Sequence, residues 1–462
     1  MTMWRPRLEG RPGPRYRAIA EAIAEDAARG RLLPGSRLPT HRDLADRLGV
    51  TVGTVTRAYG EAARRGILTG EVGRGTFVRG GPVESVAFRF ASQAEPGLID
   101  MSVNLPPAPP DPAALAQALT TISAYAGLGS LLDYAPEGGS PEHRAAGASW
   151  IARSGLEVTP DRVLVSSGSQ HGMTAVLSGL LRPGDLVVTE ALTYPGMKAL
   201  AGLLHLRLQG VAMDENGLRP DAFKAACRGG SVKVLYCVPT LHNPTTAVMP
   251  EARRREIVAI ARQNEVLIVE DDVHGPLLEA RPPLLAALAP DITIHLSGTA
   301  KTLAPGLRIG YILAPKTLVP RLAIAIRATT WMAAPLLAEV ASVWIRDGTA
   351  DRILAGNRKE AAARHRLALS VLDRFHVQAH PAAHHVWLHL PESRRSETFA
   401  EQARRAGVAV TPAQAFVVGP GAAPRAVRVC LGVARDHAQL EKGLRILAGL
   451  LDQRPDDELL VV

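Results

Sequence analysis

Cysteine is scarce in this chain: 462 residues contain three, Cys227, Cys237 and Cys430. An odd number without C-x-x-C or zinc-ligand spacing argues against a disulfide framework and a metal centre, and fits core thiols in a reducing compartment. Aromatic residues make up 4%, a scarcity that excludes little, since one ring is enough to stack on a planar ligand. No apolar run reaches the roughly 18 residues a membrane helix needs. The amino terminus, M-T-M-W-R-P-R-L-E-G-R, has no apolar signal core, so a cytoplasmic protein without membrane association is expected. Internal repeats and low-complexity segments are also lacking.

Lysine is absent from residues 1–80, which carry 15 Arg and 8 acidic residues and hold +7 of the chain's net +9. Residues 81–462 are nearly balanced, with 38 basic and 36 acidic side chains. Such asymmetry makes the amino-terminal segment a candidate nucleic-acid binder. An apolar content of 47% in a chain of this length supports two or three globular domains.

Within residues 1–80 the apolar spacing predicts three short helices. Tyr16, Ile19, Ile23 and Ala27 line the first; Leu44, Ala45 and Leu48 line the second, opened by Thr40 with Asp43 at capping-box spacing and stopped by Gly49. Thr51 caps a third, with Val55, Tyr59, Ala62 and Ala63 inward. Two short β segments then flank E-V-G-R-G as a hairpin. Three helices and a basic hairpin make a winged helix-turn-helix, whose third helix enters the major groove. The span from R-L-L-P-G-S-R-L-P-T-H-R-D-L-A through L-G-V-T-V-G-T-V-T-R-A-Y to G-R-G-T-F-V resembles the GntR-type DNA-binding domain. That resemblance places Arg42, Thr51, Gly53, Thr54 and Thr56 at the DNA, with Arg57 beside them and Gly73, Arg74 and Gly75 at the wing tip. Val52 stands where the family commonly has arginine.

Residues 81–98 read as a linker. From residue 99 onward, short apolar strand candidates at 163–166, 186–190, 233–238, 266–271, 292–297 and 308–313 alternate with helical patterns, which predicts an α/β domain with a mostly parallel sheet over 99–462. Within it lies S-G-T-A-K-T-L-A-P-G-L-R-I-G-Y, Ser297 to Tyr311. Small residues around Lys301 let a ring approach, Ser297, Thr299 and Thr302 offer hydroxyls, and Arg308 offers a fixed charge for a phosphate. A lysine in that niche is a candidate for Schiff-base chemistry; taken alone it fits a solvated loop as well. Upstream, V-L-V-S followed by S-G-S-Q-H-G opens a helix whose free N–H groups suit an anion.

The lysine run resembles the cofactor segment of fold-type I pyridoxal-phosphate aminotransferases, in the form found in MocR-type regulators, and I-D-M-S-V-N-L-P-P at 99–107 resembles the opening motif of that family. The resemblance implies that Lys301 holds pyridoxal 5′-phosphate as an aldimine. It places Gly168, Ser169, Gln170 and Arg308 on its phosphate, Tyr194 on its ring face, Asn243 on its phenolic oxygen and Asp271 on its ring nitrogen. His274 falls where relatives usually have a tyrosine bonded to the phenolic oxygen, and Thr246 replaces the usual glycine of N-P-T-G. Asp272 reads as structural. Tyr134 matches the tyrosine that reaches a neighbouring subunit's phosphate, implying a homodimer, and Arg428 matches the arginine that clamps an α-carboxylate. The expected function is a transcriptional regulator that binds an operator in double-stranded DNA and senses an amino acid or amine, or the cofactor itself, by aldimine exchange. The alternative is a pyridoxal-phosphate-dependent aminotransferase with a fused DNA reader.

Overall fold

The computed structural model describes residues 4, 6, 8, 14–28, 31–32, 36–64, 67–71, 75–78, 97–108, 111–419 and 422–453. The chain divides into two compact units, Met1–Phe88 and Arg89–Val462. Most of the expected linker, residues 81–96, lies outside the described residues, as do Gly73 and Arg74.

In the first unit, α1 (Arg15–Ala28), α2 (His41–Leu48) and α3 (Val52–Arg64) precede an antiparallel hairpin of β1 (Leu68–Glu71) and β2 (Gly75–Val78). Thr40 Oγ1 accepts the Asp43 N–H at 3.2 Å to start α2, and Gly49, at φ +61°, ends it. Only a residue without Cβ takes that left-handed turn cheaply. Ile19, Ile23, Leu44, Val55 and Tyr59 form the core, each burying a side chain worth about 1.5–3 kcal/mol. Tyr59 also donates its hydroxyl to Pro39 O at 2.9 Å. The expected inward face of α3 needs one correction: Ala63 is exposed and Ala58 is buried in its stead. Ala58 lies three residues after Val55 and four before Ala62, so it belongs to the apolar stripe that Ala63 steps out of.

The second unit is built on a seven-stranded sheet, ordered Val163–Ser166, Gly310–Leu313, Thr293–Gly298, Leu267–Asp271, Val232–Cys237, Leu186–Glu190, Arg207–Val211. Gly310–Leu313 runs antiparallel to both its neighbours and the other pairings are parallel. Alternate strand residues enter opposite cores. Val187, Tyr236, Val269 and Leu296 pack with the helices Ser169–Leu180 and Val319–Thr330, whereas Val188, Leu235, Cys237 and Ile268 pack with Glu251–Gln263. Helices thus cover both faces, which is why the central strands read as unbroken apolar runs. The apolar-run criterion does not find Arg207–Val211, because this edge strand is partly exposed and its residues R-L-Q-G-V are mixed. It also begins the strand 308–313 too early: Arg308 has φ +52°, so pairing starts at Gly310.

A smaller antiparallel sheet, ordered Val377–Gln378, His385–His389, Ala426–Cys430, Thr411–Pro412, packs with the helices Ser396–Arg405 and His437–Asp452. Ile99–Asp100 pairs with Val408–Ala409, which brings the residues that follow it beside Arg428. No helix among the described residues is long and apolar enough to cross a membrane.

Candidate functional site

Parallel strands release their following loops at one edge of the sheet. Ser166 leads to Gly168, Asp271 closes its strand, and Gly298 leads to Lys301. Gly310–Leu313 begins where those strands end, pairing Gly310 with both Gly298 and Ser166. Its reversed direction therefore delivers Arg308 to the same edge.

Gly168, at φ +85°, precedes the helix Ser169–Leu180, and no side chain caps that helix. A Cβ on Gly168 would lie 2.6 Å from Arg308 Nη2, and one on Gly310 would lie 2.6 Å from the Gly168 carbonyl carbon. The two glycines thus let a guanidinium and an uncapped helix start converge, an anion cradle by charge and by N–H direction. Gln170 Oε1 is buried there without a partner. Among the hydroxyls, Ser169 Oγ donates to Ser297 O at 3.2 Å. The threonines are not available for a phosphate as the sequence suggested. Thr299 Oγ1 donates to Ile309 O at 3.0 Å and Thr302 Oγ1 to Gly298 O at 3.2 Å, both buried.

Lys301 is half-buried, and its Nζ donates to Asn104 O at 2.6 Å. Burial, followed by the nearby Arg428 charge, brings its ammonium pKa down to about 8. Asp271 accepts the Tyr236 hydroxyl at 2.6 Å. Burial pushes the Asp271 carboxyl above its usual range, with the Tyr236 bond opposing the shift. Asp272 is fully buried and paired with Arg281 at 2.8 Å, a structural role as expected from the sequence.

Arg428 is buried with its guanidinium 5.0 Å from the Phe416 ring centroid. It donates to Asn243 Oδ1 at 2.8 Å and to Ser102 O at 2.6 Å, while its Nε has no partner. Asn243 precedes Pro244 through a cis peptide, and Thr246 holds φ +64°, the left-handed conformation that explains why a glycine suits that turn. Tyr194 starts the helix Pro195–Leu203 half-buried, and a Cβ on Gly196 would lie 2.3 Å from its ring. Its hydroxyl pKa is raised by burial and then by Asp271, while Arg428 and Arg308 oppose the shift. His274 is 4% exposed, and burial followed by the Lys301 charge holds its pKa well below the usual value.

Lys301, Asp271, His274, Tyr194, Asn243 and Arg428 thus share one neighbourhood, with Gly168, Ser169, Gln170 and Arg308 at its anion cradle. Tyr134 stands apart from them, 80% exposed against Trp331, ring centroids 5.3 Å apart. In the first unit Arg42, Thr51, Gly53, Thr56 and Arg57 are exposed and Thr54 and Gly75 half-buried. Val52 is also exposed, at 44%. Sequence reasoning missed Tyr236, Ser102, Asn104, Glu190, His384 and His385. Asn104 and Ser102 lie within the I-D-M-S-V-N motif, but their contacts with Lys301 and Arg428 come from a strand pairing that no local pattern announces. Among the described residues, no His, Cys, Asp or Glu group is placed to hold a metal.

Comparison with known proteins adds a context to this geometry. Residues 96–447 match the family aminotransferase class I and II, and residues 15–78 match the bacterial regulatory proteins of the gntR family. The HTH-type transcriptional regulator YdeF of Bacillus subtilis is 31% identical over 97% of this chain and 97% of its own length. The HTH-type pyridoxine biosynthesis transcriptional regulator PdxR of Corynebacterium glutamicum is 31% identical over 64% of this chain and 65% of its own length. Among solved structures, the α-aminoadipate aminotransferase LysN of Thermus thermophilus, complexed with N-(5′-phosphopyridoxyl)-L-leucine, superposes with a TM-score of 0.70 at 25% identity, covering 79% of this chain and 94% of LysN. An archaeal alanine:glyoxylate aminotransferase gives 0.69 at 25%, covering 77% and 90%.

Proposed function

We infer the function of this chain from the family to which it belongs, the MocR-type HTH transcriptional regulators, in which a gntR-family domain precedes an aminotransferase class I and II domain. It is a DNA-binding transcriptional regulator, and its cofactor is pyridoxal 5′-phosphate. The residues present fit that group: a glycine-lined cradle against a guanidinium, a buried carboxylate, and a half-buried lysine whose amine loses its proton near pH 8. Bound, pyridoxal phosphate supplies an aldehyde carbon for an amine and an electron-withdrawing ring.

In this reading Lys301 Nζ would be the amine that holds the cofactor at that carbon, the position for which an incoming amino acid or amine would compete. The Ser169–Gln170 helix start, Gly168 and Arg308 hold the phosphate. Buried Asp271 holds a proton on the ring nitrogen, the cationic partner its desolvated carboxylate lacks. Asn243, with its oxygen turned to Arg428, keeps its amide N–H for the phenolic oxygen, and neutral His274 can donate a second bond there. Tyr194 covers the ring, and Arg428 takes the effector's α-carboxylate. Exposed Tyr134 is assigned to the phosphate site of a partner subunit in a homodimer. Arg42, Thr51, Gly53, Thr54, Thr56, Arg57 and Gly75 are assigned to the operator, with the wing residues Gly73 and Arg74. The expected location is the cytoplasm. Effector binding changes DNA affinity only as far as the effector distinguishes two conformations of the protein.

The single observation that carries the sensing reading is a half-buried Lys301, its amine pKa lowered to about 8, in the same neighbourhood as the buried guanidinium of Arg428. It supports a second reading as well: a lysine amine near pH 8 can move a proton between a substrate α-carbon and the cofactor, as an aminotransferase requires. Titrating wild type and Lys301→Ala with amino acids, while following cofactor absorbance, operator binding and keto-acid release, separates the two. Lysine-dependent absorbance changes that alter operator affinity without turnover are expected. Sustained keto-acid release would establish the enzyme, and no lysine-dependent change would remove both readings.

A further inference from the structure

A partly open cavity of about 330 Å³ lies in the second unit, lined by residues that have no part in the cofactor site. Arg153, Arg281 and Arg358 line it, together with the apolar side chains of Trp150, Leu278 and Leu354. Trp150 lies in the last turn of the helix Pro141–Ala152 and Arg153 follows it, while Leu354 and Arg358 sit one turn apart on the helix Thr349–Val371. Leu278 and Arg281 come just after the short turn Gly275–Leu277. Three separate stretches of chain thus meet at this wall.

Its donors are unevenly used. Arg153 directs its fork at Asp351, at 2.8 and 2.9 Å, and at Ile345 O. Arg281 donates Nη1 to Asp272 Oδ2 at 2.8 Å, and its other N–H groups have no partner among the described residues. Arg358 donates to Pro276 O at 2.6 Å and to Glu279 Oε1 at 3.2 Å, but its Nε is buried without a partner. Trp150 Nε1 is a further buried donor without an acceptor. Each unmatched nitrogen on the wall is therefore a donor, so a ligand that completes the wall brings acceptors.

Each guanidinium has one carboxylate neighbour, and the three pairs differ in how firmly they hold. The Asp272 side chain is 0% exposed, that of Asp351 53% and that of Glu279 78%. An exposed ion pair contributes little, so an arriving anion can take Arg358 from Glu279 and leave that carboxylate in water. Carboxylate and phosphate both match the guanidinium fork.

We propose that this cavity is a second ligand site, which takes a small organic anion: a carboxylate or phosphate held by Arg281 and Arg358, with a short apolar body against Trp150, Leu278 and Leu354. The site adjoins the cofactor residues along two lengths of chain. Asp272, the partner of Arg281, follows Asp271 directly, and Asn357, next to Arg358, donates to Thr302 O at 3.1 Å beside Lys301. Asp272 and Asn357 are both fully buried, so a ligand that draws on Arg281 or Arg358 displaces residues that flank the cofactor. This makes the cavity an effector site distinct from the amine site, and the binding claim stands whether or not Lys301 senses an amine.

The test is calorimetric titration of the full-length, pyridoxal-phosphate-loaded protein with benzoate, phenyl phosphate and the neutral isostere benzamide, while the cofactor absorbance is followed. Benzoate or phenyl phosphate is expected to bind about tenfold or more tightly than benzamide, the scale of a charge-assisted hydrogen bond, and the tighter of the two identifies the anionic group. Arg358→Gln should weaken that binding about tenfold. Ser154→Phe, which puts bulk on the cavity wall and leaves every guanidinium in place, should abolish it. Retained cofactor absorbance certifies that each variant is folded, and one folded variant suffices. Anion binding should shift the cofactor band in wild type; binding without a shift overturns the effector role. Benzamide binding as tightly as the anions, no binding by any probe, or anion binding unchanged in a folded variant, the mark of an anion lodged at Arg428, overturns the site.

Discussion

Tyr236 Oη donates a 2.6 Å hydrogen bond to Asp271 Oδ2, linking buried side chains of two neighbouring parallel strands. Burial drives the Asp271 pKa up, and this hydroxyl is the first influence that pulls it back. Tyr236→Phe keeps the ring packing and removes only that bond. It should cost about 1.5–3 kcal/mol in the cofactor-free protein, the usual worth of a hydrogen bond to a charged group. Denaturant unfolding measures the loss. The same variant should weaken cofactor retention, because a carboxylate that protonates more readily holds the ring nitrogen's proton less well.

Glu190 is a second buried acid beside Asp271, and it gives a pH signature. It accepts the Val238 N–H at 2.9 Å and the Thr189 hydroxyl at 3.1 Å, yet burial pushes its pKa from 4.5 up to about 7. A folded-state pKa above the unfolded one means the folded chain binds more protons between those values, so this group's contribution to stability falls as pH rises from about 4.5 to 7. Glu190→Gln removes that penalty. The variant should match wild type near pH 4.5 and gain stability progressively up to pH 7, by as much as about 3 kcal/mol. Unfolding free energies across that range read the difference directly. A constant offset at all pH values would place the effect in packing.

Glu190 and Tyr236 carry no local sequence signal. Both lie in apolar strand runs, L-V-V-T-E and V-K-V-L-Y-C, where each looks like a strand residue and nothing local says that Asp271 is the neighbour. Lys301, Asp271 and Arg308 were legible because each sits in a run of small, hydroxyl or acidic residues at a strand end, where α/β sheets expose loops. The central strands were legible because burial on both faces demands continuous apolar sequence, and the edge strand Arg207–Val211 was not, for want of that burial. The hydroxyls of Thr299 and Thr302 misled for a different reason: a threonine beside a turn satisfies backbone carbonyls as readily as a ligand, and here it does so.

Glycines in the lysine run separate close approach from mere flexibility. A Cβ on Gly310 would lie 2.6 Å from Gly168 C and 2.7 Å from Ser169 N, both backbone atoms of the anion cradle. On Gly306, four residues earlier, it would meet nothing within 4 Å. Gly310→Ala should therefore destabilise the chain by about 1–3 kcal/mol, as overpacking does, and lower pyridoxal-phosphate affinity by displacing Gly168 and Ser169. Gly306→Ala should leave both near wild type. Equilibrium dialysis with pyridoxal phosphate and thermal unfolding of the two variants side by side provide the comparison.

Val52 supplies the last prediction, because its position sets a charge the DNA reader does without. It is the first residue of α3 and 44% exposed, flanked by the exposed Thr51 and Gly53. An arginine there would add one cation at the start of the helix proposed to enter the groove, and each phosphate neutralised releases counterions from the DNA. Val52→Arg should strengthen binding to an arbitrary duplex at low salt and steepen the plot of log affinity against log salt by about one unit. Arg57→Ala should make the same plot shallower by about one unit. Since phosphate contacts carry no sequence information, both changes should appear equally on unrelated DNA sequences. A Val52→Arg variant whose slope matches wild type would mean that the start of α3 does not meet the phosphates, and the proposed assignment of Thr51 and Gly53 to the operator would fall with it; an unchanged slope in Arg57→Ala would do the same for Arg57.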